Sequence, residues 1–85
     1  MPYIKQTQRK RLNSFTAAIG KLAIADAGEL NYLITVGLKN YFESHGGNYQ
    51  AANDIMGALE GAKLEFYRRT IAPYEDVKIK ENGDV

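Results

Sequence analysis

Eighty-five residues with a net charge of +1, no cysteine and no tryptophan exclude several classes at once. A chain this short makes one domain that buries only about 60 to 65% of its unfolded surface, and neither a disulfide nor a thiolate-bound metal reinforces so thin a core. No stretch approaches the roughly 18 apolar residues of a membrane span, and the start, MPYIKQTQRKRL, has no apolar leader segment, so the expectation is a soluble cytoplasmic protein with no membrane partner.

Residues 1–12 read as a basic arm, with Lys5, Arg9, Lys10 and Arg11 unopposed by any acid. Pro2, Tyr3 and Ile4 read as extended, tucked against the body or a neighbouring subunit. Gln6 to Arg11 make a short helical turn. Asn13 or Ser14 then caps a first full helix over about 14–25, with Phe15, Ile19 and Leu22 as its apolar stripe and Leu12 just before it.

Asp26 is the expected cap of a second helix over 27–44, with Glu29 completing a capping box. Leu30, Leu33, Ile34, Leu38, Tyr41 and Phe42 give it a broad apolar face. His45 followed by Gly46 and Gly47 reads as its end, with the imidazole against the last carbonyls.

Asn48 caps a third helix. Its run 50–70 carries Ile55, Leu59, Ala62 and Phe66 on one face with Ala52 and Met56 beside it, and Asp54, Glu60, Lys63, Tyr67 and Arg68 turned away. Gly57 and Gly61, four apart and flanked by alanines, each cost a helix about 1 kcal/mol and imply that a backbone or ligand comes close. Pro73 is expected to end this helix near Ala72 and to open a short fourth helix over 73–81, stopped by Asn82-Gly83. The expectation is an all-α domain spanning 1–85, a three-helix antiparallel bundle with a short C-terminal fourth helix in the tail 73–85, self-associating as a homo-oligomer.

For catalysis the chain offers little. Ser14 and Ser44 sit at helix ends and His45 is the only histidine, so no nucleophile with an oriented base is legible. Glu60 and Glu65 are five apart, about 140° round a helix, so they share a metal poorly, though Glu29 approaches either in a metal-dependent nucleotide hydrolase, one alternative reading. No enzyme activity, cofactor or metal is expected. Arg9, Lys10, Arg11, Arg68 and Arg69 suit phosphate contacts in a nucleic-acid-binding regulator, a second alternative, but the helix after the Gly46-Gly47 turn opens on Gln50, Asn53 and Asp54 and reads poorly as a recognition helix. A phosphate-bearing, nucleotide-like ligand uses the residues best: Lys63, Arg68 and Arg69 for charge, Tyr67 or Tyr74 for stacking, Asn31 for a hydrogen-bonding edge. Against it stands the plainer reading that Glu65–Arg69 and Glu60–Lys63 are ordinary helical ion pairs.

MPYIK at the start, GELNYLIT at 28–35 and GALEGAKLEFYRRTIAPYEDVKIKENGDV from 57 onward resemble a family of short uncharacterised proteins of phages, bacteria and archaea. The resemblance covers nearly the whole chain. It departs at Gly61, often a cysteine in that family, and around 23–27. By size and setting the chain is similar to small oligomeric phage proteins that sequester nucleotide second messengers of host immunity. That similarity implies a sponge acting in the host cytoplasm and transfers no functional residues.

Overall fold

The computed structural model describes residues 4–85. The expectation for Pro2 and Tyr3 lies outside the described residues, and Ile4, expected to tuck against the body or a neighbouring subunit, is exposed in the single chain. The fold is all-α: α1 Gln6–Arg11, α2 Asn13–Gly20, α3 Ala27–Ser44, α4 Tyr49–Phe66, a π turn Tyr67–Ile71, and α5 Ala72–Asn82. Among the described residues, no helix is long and apolar enough to cross a membrane.

Two expectations for the first third of the chain need correction. Neither Asn13 nor Ser14 caps α2, which starts at Asn13 with no side-chain cap. The Leu12 N–H bonds back to the carbonyls of Gln8 and Arg9 while its own carbonyl accepts from Phe15, so α1 runs into α2 with no room for a capping residue. The helix also stops at Gly20 rather than near 25. One reason lies downstream. The Glu29 carboxylate accepts the Ala25 N–H at 2.9 Å, a donor that a helix reaching 25 would use on its own preceding turn.

That glutamate belongs to the start of α3. Asp26 Oδ1 accepts from the Glu29 N–H at 2.8 Å, and the Glu29 side chain reaches back one residue beyond the usual capping box. Both the cap and the 27–44 span match the expectation. At the other end the His45 ring nitrogen Nδ1 donates to the Tyr41 carbonyl at 2.9 Å, and Gly46 and Gly47 both take positive φ, 89° and 58°. A β-carbon on Gly47 would make only ordinary contact with the Phe42 ring at 3.4 Å, so it is the positive φ at both positions that calls for glycine. Asn48 then caps α4, its Oδ1 accepting from Ala51 at 2.9 Å.

The turn folds α3 back on α4. Ala51, 2% exposed, is the buried apolar residue of the described chain. Leu38, Tyr41 and Phe42 on α3 and Ala52, Ile55 and Leu59 on α4 are half-buried. The Tyr41 hydroxyl donates across the hairpin to Asp54 Oδ2 at 3.1 Å, and the Tyr41 ring stacks on His45 at 3.9 Å between centroids.

Pro73 does not end the third helix. The chain continues from Tyr49 to Asn82 as a helix of 34 residues, about 51 Å at 1.5 Å per residue, which matches the long dimension of 50 Å. Proline lacks an N–H, and its ring clashes with the carbonyl four residues back in a regular α-helix. Here the backbone widens just before it, with the Ala72 N–H bonding to the Tyr67 carbonyl five residues earlier. The fourth helix is therefore a continuation of the third, stopping where expected at Asn82, with Gly83 at φ 87°.

Helix contacts among the described residues run only between chain neighbours: α1 with α2, α3 with α4, and the segments of the long helix. Among the described residues no third helix lies over the α3–α4 hairpin. The radius of gyration is 16.4 Å, against about 12 Å for a compact chain of this length. The accessible surface is 7516 Å², against about 5,000 Å² for a compact protein of this mass. Phe15, Leu22, Ile34, Met56, Leu64 and Phe66 stand exposed.

Candidate ligand-binding surface on the long helix

The polar residues of the long helix are arranged around Glu65. Arg68 and Arg69 follow it by three and four residues, the spacing at which helical side chains meet. Arg68 Nη2 donates to Glu65 Oε1 at 2.8 Å, and Arg69 Nε donates to the same oxygen. The glutamate side chain is only 16% exposed, while the arginines remain 64% and 58% exposed. Two guanidinium groups thus converge on one carboxylate from the solvent side.

One turn further on, the π turn has a direct effect. Tyr67 and Glu75 are eight residues apart, about 80° out of line in a regular α-helix at 100° per residue. The wider turn rotates less per residue and brings them onto one face, where the Tyr67 hydroxyl donates to Glu75 Oε1. That hydrogen bond, then the Glu75 charge, lesser desolvation and the Asp76 charge, raise the Tyr67 phenol above its ordinary value of 10.0. Beside them the Lys78 ammonium lies 5.5 Å from the Tyr74 ring centre.

Four of the six residues singled out from sequence, Tyr67, Arg68, Arg69 and Tyr74, therefore fall on the π turn and the first turn of α5. Lys63 lies one turn earlier, with its ammonium 3.6 Å from Glu60. Asn31 is not brought to them: α3 touches α4 but neither the π turn nor α5, and Asn31 accepts from the Thr35 hydroxyl through its carbonyl at 2.8 Å and its Oδ1 at 3.2 Å. The plainer ion-pair readings of Glu65–Arg69 and Glu60–Lys63 hold in the folded chain. Sequence reasoning missed Glu75 as the partner of Tyr67, because eight-residue spacing is legible only once the π turn is known.

Alongside the arginines runs an open groove of about 650 Å³ lined by Gly57, Ala58, Gly61, Ala62, Glu65, Phe66, Arg69 and Thr70. Among the described residues, a β-carbon on Gly57 or Gly61 would meet nothing within 4 Å. Among the described residues no three histidine, aspartate or glutamate side chains gather where they could hold a metal ion.

Hairpin, unclosed helix faces and an ionic cluster at a π turn define an all-α protein built on one long C-terminal helix. By sequence the chain belongs to the family described as a domain of unknown function, DUF6899, whose model matches residues 1–85. No curated protein and no solved structure matches it.

Proposed function

We propose that this protein binds a small phosphate-bearing, nucleotide-like molecule stoichiometrically, as a cytoplasmic homo-oligomer in which helices from several copies complete the bundle. Sequestering a second messenger of host immunity is the use such a binder would have in a phage. The convergence of Arg68 and Arg69 on Glu65 carries the reading. Paired guanidinium groups recognise carboxylate and phosphate oxygens with the same fork geometry, so the Glu65 carboxylate stands where a ligand phosphate would bind. Both arginines are exposed enough for the exchange. Tyr74, one turn further along the helix, would supply a flat face with Lys78 against its ring, and Lys63 would add charge one turn before the arginines.

The test is native mass spectrometry of protein purified without added ligand, followed by calorimetric titration with mononucleotides and cyclic dinucleotides. Oligomers retaining or accepting one nucleotide-sized mass per site are expected. Arg68→Ala should weaken binding by about tenfold or more, in line with the loss of a charge-assisted hydrogen bond, while leaving helicity unchanged. Unchanged affinity in Arg68→Ala and Arg69→Ala alike rejects this site.

One observation favours a second reading. Lys5, Arg9, Lys10 and Arg11 form no ion pair among the described residues, and Arg9, Lys10 and Arg11 crowd the last turn of α1. A regulator using this arm on nucleic acid would bind polynucleotides with steep salt dependence and mononucleotides not at all.

A further inference from the structure

We infer that α1 and α2 together lie on an anionic lipid surface, with Leu12, Phe15 and Leu22 entering the bilayer interface and the basic residues around them meeting the phosphate headgroups. The inference goes beyond the ligand reading above and uses none of its residues. Charge along the chain comes first. Residues 1–25 carry five basic side chains and no acidic one, whereas residues 26–85 carry ten acidic against six basic. The molecule is therefore polarised, and an anionic surface attracts its first third while repelling the remainder.

The apolar side chains decide which anionic partner fits. Leu12, Phe15 and Ile19 follow one another at three- and four-residue spacing and so share one face of α2, which starts at Asn13 directly after Leu12. Phe15 is 65% exposed, Leu12 and Leu22 are exposed as well, and Ile19 is half-buried. Basic groups close the stripe at both ends: Arg9, Lys10 and Arg11 in the last turn of α1, and Lys21 at the end of α2, beside Leu22. Among the described residues α1 and α2 touch each other and no other helix, and none of these cations forms an ion pair. A polynucleotide would take the cations and leave the apolar stripe in water. An anionic bilayer takes both, since long basic side chains reach the headgroups while their stems and the neighbouring apolar groups lie at the acyl boundary. No described helix is long and apolar enough to cross a membrane, but a segment lying in the interface needs no such length.

The chain has no tryptophan, so Phe15→Trp in the full chain is a single reporter placed in the stripe. With vesicles of equal parts phosphatidylglycerol and phosphatidylcholine, its fluorescence should shift to the blue and be quenched by brominated acyl chains; with pure phosphatidylcholine it should do neither. Flotation of the wild-type protein with the same vesicles measures partitioning. Arg9→Gln, Lys10→Gln and Arg11→Gln combined should weaken it by about a hundredfold, and Phe15→Ser by about tenfold. Both variants should keep the parent's helicity, because α2 supports no helix but α1 among the described residues, and their nucleotide binding should be unchanged. Absence of flotation with anionic vesicles overturns the inference. So does flotation without a blue shift or with full strength in Phe15→Ser, which would be charge attraction alone. Tight binding of Phe15→Trp to polynucleotide with no response to vesicles would overturn it in favour of the nucleic-acid reading. If vesicles bind and no nucleotide does, the lipid surface stands and the ligand reading fails; the opposite pair of results does the reverse.

Discussion

Tyr41 and Tyr67 both donate to carboxylates, Asp54 and Glu75 respectively, and each hydrogen bond raises the phenol above 10.0. Because the folded-state values are raised, their contribution to stability is fully present below the ordinary value and is lost as pH rises through the raised ones. Helicity by circular dichroism should therefore be flat through neutral pH and fall above about pH 10, and ultraviolet titration should find Tyr67 ionising later than a free phenol. In Tyr67→Phe the late-ionising component should shrink; an unaltered titration curve would show that the Glu75 contact is not made in solution. At this scale much was legible. Asp26, Asn48 and His45 act where their local chemistry placed them, because caps depend on three or four neighbouring residues. The partners of Tyr41 and Tyr67 were not legible, since one lies across a hairpin and the other across an irregular turn.

Among the elements, α3 and α4 followed their periodicity and caps closely, and α2 and the Pro73 junction did not. The Ala25 N–H, which a helix reaching 25 would use on its own preceding turn, goes instead to Glu29, a side chain belonging to the next helix. At the junction the proline rule gave a break, but the helix had a second way to accommodate the ring, by widening rather than ending. Pro73→Ala removes the clash and restores a donor. The variant is expected to straighten the segment into regular α-helix and melt at a higher temperature, while Tyr67 and Glu75 rotate out of line and the Tyr67 phenol titrates closer to 10.0. Greater thermal stability with an unchanged Tyr67 titration would mean that the π turn does not depend on Pro73.

For the whole molecule, apolar periodicity told which helix faces want covering but not which chain covers them. On the oligomeric assembly proposed above, the exposed Ile34, Met56 and Phe66 are the surface that other copies would cover. Such a protein is stabilised by mass action, so its melting temperature should climb as concentration increases and its helicity should fall on dilution. A melting temperature independent of concentration over a hundredfold range, measured by circular dichroism, would mean that a single chain is stable without partners.

The neighbour-only pattern of helix contacts also sets how the chain reaches its final state. With almost every contact local in sequence, little loop entropy is lost before contacts form, and the helices and the α3–α4 hairpin can assemble within microseconds to milliseconds. On the proposed assembly, what would remain is encounter between copies, a second-order event whose rate follows concentration. Soon after synthesis each newly made chain would be helical but incomplete, and the speed at which it becomes functional would be governed by how many copies the cell already holds.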